Sequence, residues 1–253
     1  HRLRPRPAPP MTRSPELFGV PLEGGDWPAV RARITQADAP FWIVTANPEI
    51  LLAAAEDLSY AAVLRQASWR AVDGIGLALV LRCRGSRATR LPGVDLAEAL
   101  VAEAARQGWR VALFGGAPGV AAQAAATLCG RYPALAIRAW AGGMVSANGQ
   151  EDGSTTLARQ AMEAWQPQVV LAALGGSPKQ ERWLAGHVAA WKWAKAVAGV
   201  GGAFDMWARR LPRAPGWMRA SGLEWLWRLS LEPGRWRRIV RAVLVFPWRA
   251  WRG

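Results

Sequence analysis

Apolar and polar positions along the chain fall into two rhythms. The first is a short apolar run closed by small or turn-forming residues. Such runs are FWIVTA (41–46) stopped by Asn47-Pro48, WRAV (69–72) stopped by Asp73-Gly74, WRVALFGG (109–116), LAIRAW (135–140), QVVLAALGG (168–176), and one inside KAVAGVGGAF (195–204). Their length and their Gly, Pro, Asn and Asp boundaries predict buried strands. The second rhythm has helical spacing. It covers PEILLAAAEDL (48–58), residues 75–83, GVDLAEALVAEAARQG (93–108) closed by Gly108, a stretch opened by Pro118 and running to Gly130, residues 154–165, and a helix from about 178. Strands alternating with helices predict an α/β fold, a parallel sheet with helices on both faces.

The alternation ends near residue 206, where Arg, Trp and Pro take over without a strand signal. The chain therefore divides into a basic, disordered leader (1–15), an α/β core (16–205) and a helical appendage (206–253). Charge sharpens this division. The net charge of +14 leaves only +1 on the middle, because residues 1–15 carry four Arg and no acid, and residues 209–253 carry eleven Arg against Glu224 and Glu232. Basic ends on a near-neutral body suit an anionic membrane surface or a nucleic acid; an Arg-rich composition throughout the genome gives the same tail. On a helical wheel for 234–253, Trp236, Ile239, Val240, Val243, Leu244 and Phe246 share one face, and Arg237, Arg238, Arg241, Arg249 and Arg252 the other. Pro247 is expected to break or kink that helix. The pattern fits a helix lying in a membrane interface, ahead of packing within the chain, a partner subunit in a homo-oligomer, or nucleic acid. HRLRPRPAPP lacks the apolar stretch of a signal peptide and reads as a disordered or foreign leader, with Met11 a candidate start. No uninterrupted apolar run reaches the ~18 residues of a membrane span. Cys83 and Cys129 form no CxxC and no disulfide framework. They are expected to be plain core residues in a reducing compartment.

Ligands of open parallel sheets bind beyond the carboxyl ends of the strands. Five polar or glycine-rich clusters fall there: Thr45 with Asn47, Asp73-Gly74, GGAPG (115–119), GGSPKQE (175–181) and GGAFD (201–205). Together they suggest a long cleft. The inventory of catalytic groups is short. Histidine is limited to His1 and His187, the latter among Ala and Trp, so a Ser-His-Asp or Cys-His mechanism is not expected. No His/Cys metal cluster and no Asp-x-Asp occur, so no metal is called. Asp73 is a candidate general base, with a turn aspartate before glycine as the equal alternative. Asp95 suits either a site or the first turn of a helix. Asp205 suits ribose hydroxyls or a helix cap. Gly115 and Gly116 precede a helix N-terminus and suit phosphate. The stretch is not GxGxxG and no acid ends LAIRAW, which weakens an NAD-dependent nucleotide-sugar enzyme; a non-catalytic membrane or nucleic-acid adaptor is the other rival.

In order, TANPE (45–49), VDGIGL (72–77), RLPGVDL (90–96), LFGGAPGVA (113–121), LGGSPKQE (174–181), VGGAFD (200–205), RAPGWM (213–218), LEWLWRL (223–229) and EPGR (232–235) resemble glycosyltransferase family 26 over about residues 16–240. That family includes the N-acetylmannosaminyltransferases of teichoic acid linkage units, N-acetylmannosaminuronic acid transferases and capsule transferases. The resemblance implies a Rossmann-like core with a membrane-contacting appendage, placed peripherally on the inner face of the cell membrane. It implies inverting transfer of an N-acetylmannosamine-like sugar from a UDP-sugar to a polyprenyl-diphosphate-linked sugar in cell-surface polysaccharide synthesis, without cofactor, metal or nucleic acid. By position, Asp73 resembles the family's base. Thr45 and Asn47 resemble the lining of the sugar pocket, and Arg90 an arginine that steadies donor or acceptor. Gln180 resembles a contact to sugar or diphosphate, and Glu181 an orienting neighbour. Gly175, Ser177 and Gly202 belong to the cleft wall, and Arg213, Arg228 and Arg235 to the stabilisation of departing UDP. The chain departs from the family between Asp205 and Arg213, where MWARRLP replaces a glycine-containing link and Pro212 a lysine.

Overall fold

The computed structural model describes residues 14–252. The leader's Arg2, Arg4, Arg6, Arg13, His1 and Met11 lie outside the described residues, so the expectation of a basic, disordered leader falls there too.

A small hairpin, β1 (Glu16–Leu17) and β2 (Val20–Pro21), precedes helix α1 (Trp27–Gln36). The core then runs β3 (Phe41–Ala46), α2 (Pro48–Glu56), α3 (Leu58–Arg65), β4 (Trp69–Val72), α4 (Ile75–Cys83), α5 (Gly93–Gln107), β5 (Val111–Gly115), α6 (Val120–Arg131), β6 (Ile137–Trp140), α7 (Gly153–Trp165), β7 (Val169–Ala173), α8 (Lys179–His187), β8 (Ala196–Gly199) and α9 (Ala203–Trp207). Three further helical pieces follow: α10 (Gly216–Ala220), α11 (Glu224–Leu231) and a last helix, α12, over 236–252. Six strands form one parallel sheet in the order β4-β3-β8-β7-β5-β6. The α/β fold read from the alternation is the one observed.

The strands are apolar throughout because both sheet faces are covered. Along β3, Trp42, Val44 and Ala46 join the core under α2, α3 and α8, while Phe41 and Ile43 join the core under α1, α5 and α6. Two local details differ from the sequence reading. Asp57 interrupts PEILLAAAEDL because its carboxylate accepts hydrogen bonds from Ser59 N and Tyr60 N and so starts α3 afresh. Asp26 does the same for α1 through Ala29 N, ahead of Pro28, a signal present in the sequence but outside the elements expected there. Cys83 and Cys129 are both exposed, not core. Each falls just outside the apolar face of its helix, after Leu81 on α4 and after Leu128 on α6.

Position 206 lies inside α9, and Trp207 and Ala208 are buried in the core. In α12 the chain does not break at Pro247. The turn over Arg241–Val245 widens to π geometry and the helix continues to Arg252. A wider turn spares the proline a clash with the preceding carbonyl and a hydrogen bond it cannot donate. It also shifts the helical phase of everything after it by roughly one residue, ~100°. Phe246 and Ala250 consequently turn inward and are fully buried, with Phe18 edge-on to Phe246 at 6.2 Å. Trp236, Val240, Val243, Leu244, Trp248 and Trp251 form the exposed stripe. The arginine face points partly back at the protein: Arg238 pairs with Glu49, and Arg241 and Arg249 pair with Glu56, both acids on α2.

Candidate active site

Register places the strand ends level. Thr45 stands beside Ala71, Ala46 beside Val72, Gly115 beside Ala173, and Ala172 beside Gly199. The residues just past these positions surround one cleft of about 590 Å³. Of the residues expected in a site, Thr45, Asn47, Asp73, Gly115, Gly116, Gly175, Ser177, Gln180, Glu181, Gly202, Asp205, Arg228 and Arg235 all line it. Sequence positions far apart meet here because every parallel strand delivers its following loop to the same edge.

Asp73 sits at the β4 end of the cleft, its backbone N–H donating to Ala46 O at 2.8 Å. Burial pushes its carboxyl up to about 6, against the lowering effect of hydrogen bonds from the backbone N–H groups of Gly93 and Gly74 and of the Arg90 charge; the Glu224 charge adds to the rise. Such a group is mostly ionised at neutral pH yet basic enough to accept a proton. Beside it, the Thr45 hydroxyl donates to Gly199 O at 3.3 Å. Asn47 caps α2, its Oδ1 accepting from Ile50 N at 3.0 Å. Its amide nitrogen has no protein partner among the described residues.

The opening of α8 holds a buried polar chain. Gln180 Oε1 accepts from Leu174 N at 3.1 Å, which turns Nε2 toward Glu181 Oε1 at 3.2 Å. Tyr60 of α3 donates its hydroxyl to Glu181 Oε2 at 2.8 Å. Gln180 and Glu181 are almost wholly buried, and burial raises the Glu181 carboxyl above its ordinary value. Gly199 is required opposite: a Cβ there would stand 2.0 Å from Gln180 Nε2. Glu181 thus ties Gln180 to Tyr60, a partner with no signal in the local sequence. Ser177 precedes a cis bond to Pro178, and α8 begins at the next residue.

The tail brings three guanidinium groups to the same cleft. Arg228, Arg235 and Arg238 all line the cleft. Arg228 packs where a side chain at Gly202 would stand, 2.7 Å from that ideal Cβ. Its Nη2 is buried without a hydrogen bond and lies 3.6 Å from Glu232 Oε2. Arg235 Nε reaches Glu232 Oε1 at 3.1 Å, and burial, then the nearby Arg228 charge, lowers its affinity for its proton. Three cations converging beside glycine backbone make a pocket for a compact polyanion.

Three expected residues are placed elsewhere. Asp95 and Arg213 form an ion pair with each other, tying α5 to the tail. Arg90 donates to Arg219 O at 3.3 Å and acts on Asp73 through its charge. Asp205 lies in the cleft inside the first turn of α9 and does not cap it; Gly202 holds that position. The Gly116 N–H donates to Ala173 O at 2.7 Å, so that donor is not available to a phosphate. His187 lies beside Trp183, Trp191 and Glu151, away from the cleft lining. Sequence reasoning missed Glu49, Arg238, Gly142 and Gly143. The last two follow LAIRAW as another glycine pair at a strand end, a readable signal. Arg238 is assigned to the outer face of the tail helix by the wheel, which carries no information about Glu49.

Comparison with known proteins gives the chain's relatives. A family described as "Glycosyl transferase WecG/TagA/CpsF family" matches residues 15–253. The N-acetylglucosaminyldiphosphoundecaprenol N-acetyl-beta-D-mannosaminyltransferase of Bacillus subtilis (strain 168) is 34% identical over 200 residues, 78% of this chain and 74% of the relative. The protein of that name from Bacillus spizizenii is 34% identical over 201 residues, 79% of this chain and 74% of the relative.

Proposed function

The chain belongs to the glycosyl transferase WecG/TagA/CpsF family, and we propose from that premise that it transfers N-acetylmannosamine from a UDP-sugar to an N-acetylglucosaminyl-diphosphopolyprenol, with inversion. The relatives' printed names supply the sugar and the acceptor. The single observation that carries the mechanism is the cleft, which is lined by Asp73 and by Arg228, Arg235 and Arg238 together.

In this reading the acceptor hydroxyl oxygen attacks the anomeric carbon from the side opposite UDP. The hydroxyl proton passes to Asp73, the new glycosidic bond forms, and the bond to the UDP oxygen breaks with its electron pair going to the diphosphate. The arginines stabilise the charge that develops there, a role whose worth rises as water is excluded. Thr45 and Asn47 hold the sugar beside Asp73. Gln180, fixed by Leu174 N and Glu181, presents an amide N–H to the donor. The exposed stripe of α12 rests on the inner face of the membrane, where the lipid-linked acceptor resides.

Asp73→Asn tests the assignment. Turnover with UDP-N-acetylmannosamine and a synthetic lipid-linked N-acetylglucosamine should fall by on the order of 10³-fold, while UDP affinity by calorimetry stays near that of the parent. Turnover near the parent value would remove Asp73 as base.

A further inference from the structure

Glu49 is in the wrong place for an anion-binding cleft. It lines the cavity with Arg238, Arg228 and Arg235, and it carries the same sign of charge as a diphosphate. Its carboxylate is held by Arg238 in a forked pair, Nη2 at 2.6 Å from both oxygens and Nε at 3.1 Å from one. That fork is the geometry a guanidinium offers to a phosphate. Glu49 stands in the first turn of α2, where an acidic side chain suits the positive end of the helix dipole. The pair links α2 to the tail, and both side chains remain nearly half exposed, 42% for Glu49 and 48% for Arg238, so the pair can open without unfolding anything.

Glu232 differs. It sits between Arg228 and Arg235 on their own segment and holds both in place locally. Glu49 reaches the arginine set from α2, outside the tail.

We propose that Glu49 is a built-in competitor for the donor's diphosphate: it occupies Arg238 when the cleft is empty and must surrender it when a nucleoside diphosphate enters. This rests on the nucleotide-sugar reading of the cleft. The exchange keeps Arg238 aimed at the cleft without ligand and weakens binding by the cost of breaking the pair and of the residual repulsion. A donor site that must also release UDP after transfer gains from that weakening, because the same carboxylate can retake the arginine as product leaves.

The test is a double-mutant cycle on the full chain, with UDP as the probe in calorimetry. Glu49→Gln should bind UDP about fivefold more tightly, the order expected for removing one like charge at a partly exposed site. Arg238→Gln should bind more weakly than the parent. In the Arg238→Gln background, Glu49→Gln should bring a clearly smaller gain, that of the like-charge repulsion alone, since the two residues then share no pair to break. Equal or weaker binding by Glu49→Gln overturns the competitor role, as does the same gain with Arg238 absent. A parent protein and variants that all fail to bind UDP would overturn the nucleotide reading, and the competitor with it, and that silence is distinct from a cycle that binds but shows no coupling.

Discussion

A carboxylate raised to about 6 by burial has two consequences that point in opposite directions. For catalysis it sets the working range: kcat/KM should climb with pH to a plateau with a midpoint near 6, and Asp73→Glu should shift that midpoint, whereas a profile flat from pH 5 to 8 would detach the activity from this group. For stability the ionised form is a burden. The folded value lies above the ~3.9 of an unfolded aspartate, so the folded protein binds more protons between the two. The stabilising contribution of the proton is full below about pH 4 and is lost as pH rises through about 6. At pH 7.5 the charged carboxyl costs about 2 kcal/mol after allowing for screening by cleft water. Asp73→Asn should therefore raise the melting temperature by about 5 °C at pH 7.5, by roughly a third of that at pH 4.5, and leave it nearly unchanged at about pH 3.5. An equal rise at every pH would show that charge is not the cause. The location of Asp73 just past a strand was readable from VDGIG. Its burial was not, because Gly93, Arg90 and Glu224, which bear on its proton, come from three other parts of the chain. Gln180 shows the same division. Its place after a glycine turn is local, but the orientation of its amide depends on Leu174 N, on Glu181, and through it on Tyr60, 121 residues from Glu181 in the chain.

Among the elements, the sheet strands were legible because each is buried on both faces, which leaves an unbroken apolar run with turn residues after it. The segment ahead of β3 was not, since its hairpin has two-residue strands and α1 buries only Val30 and Ile34. The last helix was half legible. Its apolar and basic faces were present in the wheel, but a π turn re-phases its second half, and the burial of Phe246 and the exposure of Trp248 and Trp251 follow from that turn. The helix is held by Phe246 and Ala250 within the core and by exposed ion pairs to Glu49 and Glu56 on α2. Pairs so exposed are each worth well under about 1 kcal/mol and weaken with salt. Amide exchange over 236–252 should accelerate between ~0.05 and ~0.5 M salt while β7 is unaffected, and Glu56→Gln should reproduce part of the acceleration at low salt. Exchange in the last helix that ignores both salt and Glu56 would mean that the apolar anchor alone holds it.

For the whole molecule, the distribution of exposed apolar side chains is more informative than net charge. Among the described residues, nine of the thirteen large exposed hydrophobics fall between Trp217 and Trp251, and the six on α12 follow one stripe. Arg237 and Arg252 flank that stripe and lie over Trp236 and Trp248, at 5.3 and 4.2 Å from the ring centres. Among the described residues no helix is long and apolar enough to cross a membrane. A stripe of Trp, Leu and Val edged by arginine suits a helix lying in the headgroup region, with apolar burial and attraction to anionic lipid acting together. The same helix supplies Arg238 to the cleft, so the proposed membrane seating and the proposed donor binding would share one element. Replacing Trp236, Leu244 and Trp251 together by Ser should then abolish co-flotation with vesicles of mixed neutral and anionic lipid and reduce turnover on a long-chain acceptor at least tenfold. UDP affinity should stay within about twofold of the parent, because none of the three side chains lines the cleft. Raising the salt should weaken flotation of the parent protein, since part of the attraction is electrostatic. Flotation that survives the triple replacement would place the membrane contact elsewhere on the molecule, and turnover that falls equally on a short, water-soluble acceptor would show that the stripe serves the cleft itself and not delivery of the lipid.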